Sequence, residues 1–101
     1  MKMEFDEYQK AATRTLYGNE QVLTNCALGL AGESGQLIDL VKNYTFKGQK
    51  LNREEMVHEM GDVLWYLSQI AAWADIPFDQ VAQDNIETLN KRYPHGFAQD
   101  K

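Results

Sequence analysis

The feature that most limits the fold is a stretch without a single charge, Val63 to Ala74, which follows directly on Glu54, Glu55, Glu59 and Asp62. Met56, Met60, Val63, Leu64, Leu67, Ile70, Ala71 and Ala74 recur at helical spacing and form one stripe, while Trp65, Tyr66 and Trp73 fall outside it. Beyond Asp62 this helix is apolar nearly all round, and such a helix has to be covered on most sides. The uncharged run is well short of the roughly 20 residues that cross a bilayer, so a membrane is not the expected cover. In a chain of 101 residues one small core leaves much surface in water, and a second copy of the chain is the expected supplement.

Three further segments carry helical spacing, and no strand-like alternation of useful length separates them. The first runs from about residue 4 to 16, with Phe5, Tyr8, Ala12 and Leu16 on one stripe. The second runs from about Glu20 to Tyr44 and contains Gly29, Gly32 and Gly35. Each Gly costs a helix about 0.5–1 kcal/mol relative to Ala, so three so close together predict a close helix approach, a bend or a break. Gly48 closes a polar turn, and Asn52 with Glu55 three residues on predicts the start of the central helix. Asp75-Ile76-Pro77 interrupts the pattern, and Pro77 suits the first turn of a fourth helix that stops before Tyr93-Pro94-His95-Gly96. The expectation is one all-α domain over residues 1–101, a four-helix bundle completed by dimerisation.

Composition narrows the partners. A net charge of −5 argues against nucleic acid, because proteins that bind phosphate backbones concentrate Lys and Arg. Cys26 is the single cysteine, which excludes an internal disulfide, and the polar, acidic start Met1-Lys2-Met3-Glu4-Phe5-Asp6 is unlike a secretory leader. A cytoplasmic location is expected. Cys26 lies in an apolar stretch far in sequence from any His, so packing is its expected role rather than nucleophilic attack.

At 100° per residue, Glu55, Glu59 and Asp62 fall within a sector of roughly 60°, and Glu33 and Gln36 are neighbours one turn apart on the second helix. Oxygen ligands can thus converge from two helices. Carboxylates and amide oxygens favour Mg²⁺ or Mn²⁺ over zinc. Spacing alone also fits a solvated helix start, where acidic residues are favoured by the dipole. Asp62 departs from that simpler reading, since a lone carboxylate directly before an uncharged run is costly. His58 beside the acidic face reads as a surface residue or a substrate contact. Trp65, Tyr66 and Trp73 read as core or dimer packing, or as stacking partners for a nucleobase.

Leu30-Ala31-Gly32-Glu33-Ser34-Gly35-Gln36, followed by Glu59-Met60-Gly61-Asp62-Val63-Leu64-Trp65-Tyr66-Leu67, resembles the MazG family of nucleotide pyrophosphohydrolases, whose signature is E-x-x-E, a spacer, then E-x-x-D. The likeness extends from Tyr8-Gln9 through Asp39-Leu40-Val41-Lys42 to Asn85-Ile86-Glu87 and Lys91-Arg92-Tyr93-Pro94-His95-Gly96-Phe97. It implies an all-α homodimer or homotetramer. It also implies Mg²⁺-dependent hydrolysis of nucleoside triphosphates, often deoxy forms, to the monophosphate and pyrophosphate. Carried over by position, Glu33, Gln36, Glu59 and Asp62 are the metal ligands, while Lys42, Asn85, Lys91 and Arg92 are candidates for phosphate or sugar contacts. Glu55, or a ligand carboxylate, is the candidate acceptor for the proton of the attacking water.

Two positions depart from the pattern. Gln36 stands where the family usually has the second Glu, and Thr88 stands where a Lys often follows the Asn85-like position. Gln keeps an oxygen able to coordinate but loses a negative charge, so a weaker metal site is expected. These departures also leave open a different class of function: a catalytically weak relative that acts as a nucleotide-binding sensor or as a helical oligomerisation module.

Overall fold

In the computed structural model, described for residues 3–14 and 21–96, the chain forms four helices and, among these residues, no strand. They are α1 (Phe5–Thr13), α2 (Val22–Lys47), α3 (Arg53–Trp73) and α4 (Phe78–Arg92). The expected all-α class is what forms. Leu16 and Glu20, placed in the first two helices by spacing, lie outside the described residues, as do Phe97 and the residues after it.

Each boundary has a local cause. The Asn52 side chain accepts a hydrogen bond from the Glu55 N–H at 2.9 Å, which satisfies one of the open donors at the start of α3. α2 passes unbroken through its glycines to Lys47, three residues beyond Tyr44, and ends at Gly48, whose φ of 65° is the left-handed conformation that closes helices. The N–H of Gln49 then reaches back to the Asn43 carbonyl at 3.2 Å. Pro77 is the residue before α4 rather than in its first turn, with extended backbone at ψ 132°. Helix starts at Phe78 because the Gln9 side chain supplies a cap: Gln9 Oε1 accepts from the Phe78 N–H at 3.1 Å.

α3 is the centre. It packs along α2 on one side and α1 on another, and α4 touches α1 and α3 but not α2. Of the three α2 glycines, Gly29 alone meets a neighbour: a Cβ built there collides with the ring of Tyr66, while Gly32 and Gly35 have nothing within 4 Å. Tyr66 in turn meets Trp65 edge-on, at 5.0 Å between ring centroids.

Burial on α3 differs from the stripe read off the sequence. Met60 and Leu67 of the stripe remain 46% and 41% exposed, whereas Ser68 and Gln69 are fully covered. Both covered polar side chains make hydrogen bonds, although Gln69 Oε1 is left without a partner. Ser68 Oγ donates to the Trp65 carbonyl at 2.8 Å, and Gln69 Nε2 donates to Ser68 Oγ at 3.0 Å. Gln9 from α1 donates through Nε2 to the carbonyls of Ser68 at 3.3 Å and Ile76 at 3.0 Å, so one side chain ties α1 to the end of α3 and the start of α4. The starts of α1 and α4 are also crossed: the Asp6 N–H donates to Asp79 Oδ1 at 3.2 Å and the Asp79 N–H to Asp6 Oδ1 at 2.7 Å. Phe5 packs edge-on against the buried ring of Phe78 at 5.3 Å.

Much apolar surface stays outside this arrangement. Leu28, Ile38, Val41 and Phe46 on α2 and Val81 and Ile86 on α4 are all exposed. The accessible surface is 8077 Å², against roughly 5,800 Å² expected for a compact monomer of this mass. No helix among the described residues is long and apolar enough to cross a membrane.

Candidate metal centre

The packing of α2 on α3 brings the two acidic motifs face to face. The Gln36 amide faces Glu59, and when its nitrogen and oxygen are assigned to satisfy hydrogen bonding, the nitrogen donates to both Glu59 carboxylate oxygens, each at 3.2 Å. Glu33, one turn earlier on α2, is half-buried, and its Oε2 atom is shut away from solvent with no hydrogen-bond partner. Its carboxyl is held above the ordinary glutamate range. The largest cause is a hydrogen bond with Glu59, followed by burial and then the negative charges of Glu59 and Asp62. The convergence of carboxylates from two helices thus disfavours the ionised form of Glu33.

Asp62 is approached from its own helix as well. His58, one turn before it, places Nε2 3.3 Å from Asp62 Oδ2. His58, Glu59 and Asp62 each offer a ligand atom within 4.8 Å of the others. Tyr8 on α1 lies near enough that the charge of Asp62, after burial, raises the pKa of its phenol. Neither contact was evident from the sequence, although the i, i+4 spacing of His58 and Asp62 is its visible trace. Tyr8 left no comparable signal, because its approach depends on how α1 crosses α3.

The donor set fits a divalent cation. A buried carboxylate oxygen without a donor is costly, and a cation would stabilise the ionised form that burial and neighbouring charges disfavour. Glu33, Glu59 and Asp62 supply hard oxygen donors, which suit Mg²⁺ or Mn²⁺. Gln36 belongs to the same cluster as a hydrogen-bond donor to Glu59.

The other residues singled out by sequence as site candidates are exposed. Glu55 is exposed in the first turn of α3, one turn before Glu59. Lys42 is exposed toward the end of α2. Asn85, Lys91 and Arg92 are all exposed on α4, the helix that does not touch α2. Asn85 edges an open apolar groove of about 540 Å³ formed with Phe5, Leu64, Leu67, Phe78 and Val81, and the Arg92 guanidinium lies over the Tyr93 ring at 5.9 Å. Trp65 and Tyr66 pack between helices, as the packing reading expected, while Trp73 is exposed. Cys26 is buried, and burial pushes its thiol pKa up, which suits packing and not nucleophilic attack.

Residues 21–97 match the family model described as the MazG nucleotide pyrophosphohydrolase domain. The chain belongs to the MazG family. A protein of Mycobacterium phage L5, named Gene 37 protein, is 32% identical over 108 residues, covering 96% of this chain and 95% of that protein. No solved structure matches. The MazG match covers α2, α3 and α4 together with both acidic motifs, so the family and the carboxylate cluster concern the same part of the molecule.

Proposed function

We propose that the chain is a metal-dependent nucleoside triphosphate pyrophosphohydrolase, converting an NTP or dNTP to the monophosphate and pyrophosphate by attack of water on the α-phosphorus. The observation that carries this reading is the Glu33 carboxylate, half-buried between Glu59 and Asp62 with one oxygen lacking any donor. Mg²⁺ or Mn²⁺ held there would offset the charge of the triphosphate and make water more acidic. Glu33, Glu59 and Asp62 would hold the ion, and Gln36 would fix the orientation of Glu59. A carboxylate of the cluster, or Glu55 one turn away, would take the proton released as water attacks.

Lys42, Asn85, Lys91 and Arg92 would meet the phosphates and sugar. Because α4 does not touch α2 within the chain, the reading includes a homodimer, or a pair of dimers, in which α4 of one copy approaches the metal centre of the other. The exposed Leu28, Ile38, Val41 and Phe46 on α2 support it, since a face of that kind is characteristic of a buried interface.

The test is pyrophosphate release from each common ribo- and deoxyribonucleoside triphosphate with Mg²⁺ or Mn²⁺. At least one should be turned over, and Asp62→Ala should lower that rate by at least a hundredfold. If none is hydrolysed while Asp62→Ala still binds nucleotide normally, the chain is a binding or oligomerisation module, the reading that Gln36 and Thr88 favour.

A further inference from the structure

Gln36 and His58 alter the donor set of the metal centre in opposite senses. Gln36 replaces a carboxylate with an amide, and its nitrogen faces both Glu59 oxygens at 3.2 Å. An amide N–H₂ donates and has no lone pair for a cation. In this orientation Gln36 donates to Glu59, and since an amide carries no charge, the charged oxygen donors of the centre are three, Glu33, Glu59 and Asp62.

His58 stands where a fourth donor is short. It shares a helix face with Asp62, and its Nε2 is 3.3 Å from Asp62 Oδ2. The ligand atoms of His58, Glu59 and Asp62 lie within 4.8 Å of one another. Two ligands on one ion, each about 2.0–2.2 Å from it, stand at most about 4.4 Å apart, so a few tenths of an ångström separates this arrangement from coordination. The His58 side chain is 72% exposed, and it can turn toward an ion without displacing packed neighbours.

We infer that His58 is a nitrogen ligand of the metal, adding a donor to a centre in which Gln36 replaces a carboxylate, and that the centre in consequence selects Mn²⁺ over Mg²⁺. The inference rests on the metal-centre reading above. Its physical basis is ligand preference: imidazole suits first-row transition ions, whereas Mg²⁺ takes oxygen donors and keeps its water.

The experiment uses the full chain loaded with Mn²⁺ and reads two quantities that do not depend on turnover. Pulsed EPR detects coupling between Mn²⁺ and a directly bound imidazole ¹⁴N, and calorimetry compares Mn²⁺ with Mg²⁺ affinity. Wild type is expected to show the ¹⁴N coupling and to bind Mn²⁺ at least tenfold more tightly than Mg²⁺. His58→Ala, checked by circular dichroism for intact helix, is expected to lose the coupling and about tenfold in Mn²⁺ affinity, with Mg²⁺ affinity changed less than twofold. Gln36→Glu is expected to raise affinity for both ions and to narrow the difference between them. Saturable Mn²⁺ binding without ¹⁴N coupling overturns the His58 assignment and leaves the carboxylate centre intact. Coupling that persists in His58→Ala assigns the nitrogen to another residue and likewise overturns it. If neither ion binds saturably, the metal centre itself fails, and the inference falls with it. Should His58→Ala not fold, the wild-type spectrum decides.

Discussion

Glu33→Gln is expected to abolish metal binding and, in the same molecule, to leave the metal-free protein at least as stable as wild type near neutral pH. The first effect follows because Glu33 offers a buried carboxylate oxygen with no other partner. Loss of a ligand should cost more than the tenfold to hundredfold typical of outer-shell partners. The second follows from linkage. In the folded protein the Glu33 carboxyl is raised above its ordinary value, first by the hydrogen bond with Glu59, then by burial and by the charges of Glu59 and Asp62. For a group raised on folding, the stabilisation is fully present below the unfolded-state glutamate pKa and is lost as pH rises through the folded-state value. Glutamine resembles the protonated acid at every pH, so the variant escapes that loss.

Thermal melts in EDTA at pH 5 and pH 8 check the sign. Wild type should lose more than Glu33→Gln does between the two. Adding Mn²⁺ at about a hundred times its Kd stabilises a binding protein by about 2.7 kcal/mol, on the order of 10 °C or more for a domain of this size. Wild type should show that gain and the variant should not. An equal gain in both would remove Glu33 from the ligand set.

Gly29→Val is the substitution expected to damage the fold most. A Cβ at Gly29 already collides with the Tyr66 ring, and Tyr66 is braced edge-on by Trp65 at 5.0 Å. Overpacking of this kind costs about 1–3 kcal/mol, a fall in Tm of roughly 5–20 °C. Gly32→Ala on the same helix meets nothing within 4 Å, and it should stabilise the isolated chain by about 0.5–1 kcal/mol through helix propensity. Opposite signs at two glycines one turn apart would show that α2 lies against α3 at Gly29 and stands clear at Gly32. If Gly29→Val melts as wild type does, the Tyr66 contact is not part of the fold.

Local features of the fold were legible because local rules govern them. Asn52 and Glu55 announce the start of α3, Gly48 the end of α2, and the glycines of α2 a close approach that is realised at Gly29. Helical periodicity grouped Glu55, Glu59 and Asp62 on one helix and Glu33 with Gln36 on another, and the resemblance to the MazG family singled out Glu33, Glu59 and Asp62 among them. What the sequence did not disclose depends on how the helices cross. The partners of Ser68 and Gln69 emerge only when Gln9, Thr13 and the α3 backbone are placed around them. That Gln36 lies against Glu59 follows from the register of α2 on α3, which spacing along either helix does not give. Nothing in the spacing of Asn85, Lys91 and Arg92 indicates that α4 keeps away from α2 within one chain.

α1 has a further consequence. It is nine residues long, has no buried side chain, and is anchored mainly by the polar contacts of Gln9 and Asp6. Helices of that length are marginal by themselves. Its amides should therefore exchange with solvent through a local opening well below the free energy that protects α3. That opening carries Tyr8 away from Asp62. Slowed exchange across α1 when a ligand binds would accordingly give a clock for events at the metal centre, read on a segment that contributes no ligand to it.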